Sequence, residues 1–386
     1  VTITLPELTS TGTTSTGTTV VPSLRPVPST PAPQACGLTV AQVEELGRRI
    51  DELRDRILAV RGADDAAYIR RIITIQRKLE IGGRALLFAG VLPPAWLGGT
   101  ALLATAKILE NMEIGHNVLH GQWDWMCDPK IHSSTWEWDI VSSARDWQHS
   151  HNYLHHTYTN VLGKDRDIGY GILRLSDEQR WNPYYLGNPV YNFLLSLFFQ
   201  WGVALHDLEV EKVVRGEKSR SSVWRQLKGI GRKMRRQLTK DYLVFPALAG
   251  PFFLPVLAGN LTANLVRNVW SHAVIFCGHF PDGTVQFTED QLDGETRGQW
   301  YLRQMLGSAN LDGSPLFHLM AGNLSFQIEH HLFPDLPSNR YAEIATEVRA
   351  LCAEYGLPYT TGRLSTQYRQ VLRKINRLAL PGGSVA

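Results

Sequence analysis

Cysteine is scarce. The 386 residues contain four, Cys36, Cys127, Cys277 and Cys352, and no C-x-x-C pair. A disulfide scaffold or cysteine zinc site is therefore not expected, and a reducing compartment fits. Charge imbalance is also missing. With 39 Lys and Arg against 36 Asp and Glu, the net charge is +3, which does not support a dedicated nucleic-acid binder. No basic segment followed by an apolar core opens the chain, so no secretory leader is expected. There is no evident repeat. No Gly-rich flavin or nicotinamide fingerprint and no His-Pro-Gly-Gly heme motif occurs.

What the chain does have is long stretches without charge. Ala85–Ala106 is uncharged over 22 residues, with Pro93-Pro94 near its middle. It reads as one kinked span or, preferably, as a tight hairpin turning at the Pro pair, its first arm starting near Ile72 and its second running to about Gly115. Tyr242–Val266 is uncharged over 25 residues, and after Arg267 a further run reaches Pro281. Together these predict two spans turning near Gly259-Asn260. Asn188–Leu205 is apolar but short, and reads as a buried or interfacial helix. Residues 212–240 carry eleven Lys or Arg against one acid, Glu217. Such a loop stays cytoplasmic and suits anionic headgroups, an acidic partner or plain solvation. Thr39 and Gln42 form a capping box opening a helix to about Leu58. Residues 1–37, rich in Thr, Ser and Pro, are expected to be a disordered tail, 38–70 N-terminal cytoplasmic helices, and 363–386 a C-terminal tail.

The thirteen histidines are informative by spacing. His116 and His120 lie four apart, on one face of a helix. The run from Trp147 carries His149, His151, His155 and His156, of which His151 and His155 again share a face. Gln327-Ile-Glu-His330-His331 closes the series. His272 and His279 sit on the last apolar run. A lone histidine is usually structural, but three clusters beside apolar runs point to ligands. Seven or more imidazoles exceed one zinc site and suit two iron ions.

The order H-x3-H, H-x3-H-H, Q-x2-H-H resembles the membrane-bound histidine-box fatty acid desaturase family. The strings are His116-Asn-Val-Leu-His120-Gly121, His155-His156-Thr-Tyr-Thr-Asn160 and Gln327-Ile-Glu-His330-His331-Leu-Phe-Pro334, and the likeness covers roughly residues 70–360. Gly163-Lys-Asp-Arg-Asp-Ile-Gly169 resembles bacterial acyl-CoA or acyl-lipid branches. The resemblance implies an all-α integral membrane protein, with about four transmembrane helices in two hairpins and a cytoplasmic helical cap holding a diiron site within a domain at 71–362. It implies His116, His120, His151, His155, His156, His330 and His331 as iron ligands, with His279 from the last span. His272 is the second choice there, with Asn268 as a water-mediated ligand. Gln327 is a further candidate, and His149 lies outside the pattern, in a supporting shell. His132, His206 and His318 read as structural. Glu113, Asp146, Asp165 and Glu329, beside histidines, are candidates to orient imidazoles.

One metal site needs all boxes on one membrane face, so an even number of spans must separate box two from box three. That makes 188–206 non-spanning and places the site on the cytoplasmic face of the bacterial cytoplasmic membrane. The implied activity is O2-dependent insertion of a cis double bond into a long-chain acyl-CoA or acyl-lipid. O2 leaves as water, and electrons come from a separate ferredoxin-like or cytochrome carrier with its NAD(P)H reductase. The alternatives are a hydroxylase or ketolase on the same diiron cap, and a histidine-rich membrane metal-binding protein. The double-bond position stays open.

Overall fold

The computed structural model describes residues 37–383, and the N-terminal Thr/Ser/Pro-rich segment lies outside the described residues but for Gly37. The fold is almost entirely helical. Two three-residue parallel strands, β1 (Asn310–Asp312) and β2 (Thr361–Arg363), pair Asn310 with Thr361. Helix α1 (Val40–Val60) begins at the capping box read from the sequence: the Thr39 hydroxyl accepts from Gln42 N, and the Gln42 side chain accepts from Thr39 N at 2.9 Å.

Helices α2 (Ala63–Phe88) and α3 (Pro93–Leu109) form the first hairpin. Pro93 and Pro94 occupy the first turn of α3, where an N–H has no helical partner to lose. The Pro pair thus starts the second arm. The first arm begins at Ala63 rather than near Ile72, because Asp64 and Asp65 open one unbroken helix. The arms meet at small residues: a Cβ on Gly83 would stand 2.8 Å from Leu103 N and 2.9 Å from Gly99 O. The second arm runs on through a wider π-type turn at Glu110–His116 and a turn at Asn117–Leu119.

Helices α4 (Asn188–Leu197) and α5 (Phe199–His206) form the short apolar pair, with the chain bending by 102° at Phe198. Ten residues of helix reach about 15 Å, half a hydrocarbon core. The basic segment is α6 (Arg220–Leu238), and helical backbone continues through Thr239–Val244 and Phe245–Leu248. A turn at Gly250-Pro251 leads into α7 (Phe253–His279). This corrects the turn expected at Gly259-Asn260. Pro251 and the left-handed Gly250 (φ +57°) break the helix. Gly259 instead lets Leu87 pack closely, and the Asn260 amide donates to Asp241 O at 2.6 Å.

Toward the C-terminus follow α8 (Arg297–Leu306), α9 (Gln327–Leu332), α10 (Tyr341–Glu354) and α11 (Leu364–Leu378). The segment expected as a C-terminal tail is therefore a packed helix: Val371 and Ile375 of α11 are buried in the main core with Phe276 and Leu311. Likewise the expected boundary at residue 70 falls inside α2. No single helix among the described residues is long and apolar enough to cross a membrane. Arg84 of α2 and Lys107 of α3 both pair with the buried carboxylate of Asp241, at 3.0 and 2.8 Å, so these arms carry charge on their inner faces.

Candidate metal centre

Four segments bring the histidines together. The end of the second hairpin arm carries His116 and His120. A π-type turn at Gln148–His155, followed by His156–Tyr158, carries the second box. Short helix α9 carries the third, and the C-terminal end of α7 adds His279. Nitrogens of His116, His120, His151 and His330 lie within 4.8 Å of one another. Those of His155, His279 and His331 form a second group of the same tightness. His156 sits between the two: its ring stacks on His331 at 4.4 Å and lies 4.7 Å from His120 and 4.8 Å from His330.

The outer nitrogen of most of these rings is held by an oxygen. His155 Nδ1 faces both oxygens of Asp165 at 3.0 Å. His151 Nδ1 faces Asp167 at 3.4 Å, and His116 Nδ1 faces Asn117 Oδ1 at 3.3 Å. His331 Nδ1 faces the Gln304 carbonyl oxygen and the Thr159 hydroxyl, both at 3.1 Å. Tyr341 donates its hydroxyl to Phe333 O, so its oxygen is left to accept from His330 Nδ1–H at 3.2 Å. Protons held on Nδ1 leave lone pairs on Nε2.

Those Nε2 atoms point inward and lack protein partners. His120, His155, His156, His330 and His331 each bury an Nε2 without a hydrogen bond, and His116 Nε2 faces His151 Nε2 at 3.3 Å. Unsatisfied buried polar atoms cost about 1–3 kcal/mol each, a cost that a cation placed among several converging nitrogens would relieve. Burial, and then the neighbouring imidazoles, hold His156, His330 and His331 well below the usual histidine range, in the neutral form a metal needs. His155 behaves oppositely. Burial works against its charged form, but Asp165 and then Asp167 outweigh it and raise it to about 9. The donor set fits two metal ions.

The remaining candidates separate. His272 Nε2–H donates to Asn192 Oδ1 at 3.1 Å, and the ring stacks on Phe276 and joins neither group. Asn268 spends its amide on Leu197 O and its oxygen on Arg267, and does not face the histidines. Gln327 meets His279 directly, with Nε2 3.0 Å from His279 Nε2. His149 is exposed and stacks on Tyr153. It is no supporting residue, because the π-type turn rotates it away from the cluster. His132 and His318 bond Ser134 and Ser325 respectively, at 2.9 and 2.8 Å, as structural residues do. Of the four carboxylates expected to orient imidazoles, Asp165 does so. Glu113 binds Tyr68 and Ser338, Glu329 binds Tyr359 and Asn310, and Asp146 binds Ser143 and Gln226. Asp167 and His206 were not singled out by spacing. Asp167 faces His151 and also holds His206 Nε2 at 2.9 Å; a lone histidine 39 residues from its carboxylate carries no local signal.

Beside the histidines lies a narrow cavity of about 50 Å³. His116, His151, His155 and His279 form one wall. Trp147, Tyr170, Phe199, Val203, Ile275 and Leu324 form apolar walls.

The fatty acid desaturase family model matches residues 92–363. The chain is 52% identical over 348 residues to an NADPH-dependent stearoyl-CoA 9-desaturase of Mycobacterium tuberculosis, covering 89% of this chain and 82% of the relative. It is 29% identical over 293 residues to an sn-1 linoleoyl-lipid 6-desaturase of Synechocystis, covering 71% and 77%. It is 23% identical over 313 residues to fatty acid desaturase 3 of Bos taurus, covering 76% and 64%. With the match spanning all three histidine boxes, this chain belongs to the fatty acid desaturase family and is an oxidoreductase that desaturates fatty acyl chains.

Proposed function

We propose that this enzyme introduces a cis double bond into a long-chain acyl-CoA, with stearoyl-CoA the first substrate to test, at a centre of two iron ions. The observation that carries this reading is the pair of adjacent histidine groups whose unpartnered nitrogens converge beside an apolar cavity. His116, His120, His151 and His330 would hold one ion, and His155, His279 and His331 the other, with His156 completing either set and Gln327 beside His279. Iron at these positions would supply the oxidising power, with O2 as co-substrate, that no acid or base side chain has for an unactivated methylene pair.

The chain's own contribution is positional. Asp165, Asp167, Tyr341 and Gln304 lock the imidazoles through Nδ1. The apolar wall holds the acyl chain so that one methylene pair meets the histidines. Fixing depth is the specificity problem, because successive methylenes differ little in binding energy. The name of the mycobacterial relative supports acyl-CoA as the substrate class and NADPH as the ultimate reductant. Lacking a nicotinamide or flavin fingerprint, the chain takes electrons from a separate ferredoxin-like or cytochrome carrier.

We place the enzyme in the bacterial cytoplasmic membrane with the centre on the cytoplasmic face. Support comes from the exposed large apolar residues at the hairpin ends, among them Ile81, Val91, Leu92 and Leu97 on one and Leu248 and Leu254 on the other. The bent α4–α5 pair, exposing Val190, Phe193 and Leu205, lies in the interface in this reading, and 71–362 is the desaturase domain. The test is expression in a host of defined lipids, with metal analysis and mass spectrometry of the acyl chains. A new cis olefin and about two irons per chain are expected. Stoichiometric zinc, or hydroxyl or keto products alone, would overturn the reading.

A further inference from the structure

Helix α6 presents two unlike faces. Its inner face is fixed to the cap. Gln226 donates to Asp146 at 2.9 Å, Gln237 donates to Asp139 O at 3.1 Å, and Lys233 donates to Ser142 O at 2.7 Å and Trp138 O at 3.2 Å. Its outer face exposes Arg225, Lys228, Arg232, Arg235 and Arg236. Among the described residues no carboxylate forms an ion pair with any of these five. Trp224 stands exposed among them.

Directly beneath this helix, aromatic rings lead to the histidines. Trp138, whose carbonyl Lys233 caps, lies 4.8 Å from Trp147 between ring centres. Trp147 stacks on His151 at 4.4 Å and 20°, and its ring lies 5.2 Å from His116. Trp138 also borders a second cavity, of about 340 Å³, edged by Arg77, Lys233, Arg236 and Lys240 and by the carboxylates of Glu80, Glu137 and Asp139. One indole thus touches both this charged recess beneath α6 and the cavity beside the histidines. Electronic coupling decays steeply with each gap, so three rings in successive contact make a short path from this surface to the site.

We propose that the outer face of α6 docks an acidic one-electron carrier protein, and that Trp138 and Trp147 conduct each electron from it to the histidine groups. The proposal rests on the desaturase reading above. Two carriers are each oxidised by one electron per turnover. Those two electrons, two protons from solvent and two hydrogens from the acyl chain convert one O2 to two waters. Position along the helix favours a protein over the lipid surface. The backbone is helical from Arg220 to Leu248. At 1.5 Å per residue, Arg225 and Arg232 stand roughly 9–20 Å from Leu238, the exposed apolar residue that ends α6. A headgroup layer is about 5–7 Å deep. Positive charge beyond it steers an acidic protein and loses its reach in salt.

The test uses the metal-loaded enzyme in zwitterionic nanodiscs and an acidic [2Fe–2S] ferredoxin as probe. The combined variant Arg225→Glu, Arg232→Glu, Arg235→Glu, Arg236→Glu should weaken ferredoxin binding by about tenfold or more at low salt and flatten its salt dependence. Its iron content should be unchanged, as should product formed with a dithionite-reduced viologen dye. Trp138→Leu should leave ferredoxin affinity unchanged but slow reoxidation of reduced ferredoxin by about tenfold or more, while Trp138→Phe recovers part of the rate. Unchanged ferredoxin affinity in the charge variant would overturn the docking surface. So would loss of binding to anionic vesicles alone, or a raised KM for acyl-CoA alone. Normal reoxidation in Trp138→Leu would overturn the conduit. Binding is read without turnover, so a wild-type enzyme that makes no olefin with the dye overturns desaturation and not the docking surface.

Discussion

Asp165→Asn removes one charge and little volume. The carboxylate accepts from His155 Nδ1 through both oxygens, and from the backbone N–H groups of Asn160 and Asp167 at 2.8 and 2.9 Å. It is 5% exposed, so water does not take over its role. An asparagine oxygen still accepts from one of the two backbone N–H groups, but the NH2 that replaces the other oxygen faces a second donor, so the turn loses one bond as well as the charge. His155 loses the charge that makes its Nε2 a strong donor. Replacing a carboxylate that supports a metal-bound histidine typically costs about 10–100-fold in metal affinity, or roughly 1.4–2.8 kcal/mol. The effect is local to His155, His279 and His331, because His116, His120 and His330 do not touch Asp165. Asp165→Asn should therefore hold one iron per chain under a chelator concentration that leaves the wild type with two, and should form little olefin. Chelator titration read by elemental analysis, together with a melting curve, checks this. Asp146→Asn, whose carboxylate serves Ser143 and Gln226, is the control. Two equally retained irons in Asp165→Asn would refute the assignment of His155 to a metal.

The two α7 histidines should part company: His279→Ala loses iron, whereas His272→Ala keeps it and loses about 1–3 kcal/mol of stability through the unpaired Asn192, read by elemental analysis and thermal melting. Gly83→Leu should prevent the first hairpin from closing, seen as loss of monodisperse solubilised protein, since even a Cβ there meets Leu103 N at 2.8 Å. In a cysteine-free background, which must remove the exposed Cys127, single cysteines at the exposed positions Ser221 and Ala342 should label from the same side of the membrane. Opposite labelling would break the shared cytoplasmic cap.

The histidine cluster was legible before any fold, because its motifs are local. H-x3-H and His-His pairs bring imidazoles close on any helix, and no core needs so many. All eight histidines expected as ligands converge. The hairpin at Pro93-Pro94 was legible for the same reason, since a missing N–H acts on its own turn. The turn near Gly259-Asn260 was not. Both residues serve neighbours distant in sequence, Leu87 and Asp241, and glycine that admits a packed side chain looks in sequence like glycine that bends the chain. The C-terminal helix escaped for a related reason: its apolar stripe has meaning only against the core it meets.

Sequence by itself determined the family, the number and kind of metal-seeking side chains and the helical class, since each follows from residue type at short spacing. Tertiary structure decided how those side chains sort. It set His279 among the clustered histidines and left His272 outside them, hydrogen-bonded to Asn192 and stacked on Phe276. It turned His149 outward through a π-type turn that spacing counted at 3.6 residues per turn does not foresee. It also recruited Asp167 and His206, and set Trp138 and Trp147 between a basic helix and the site. These are contacts between segments far apart in the chain, and only packing brings them within hydrogen-bond or ring-contact distance.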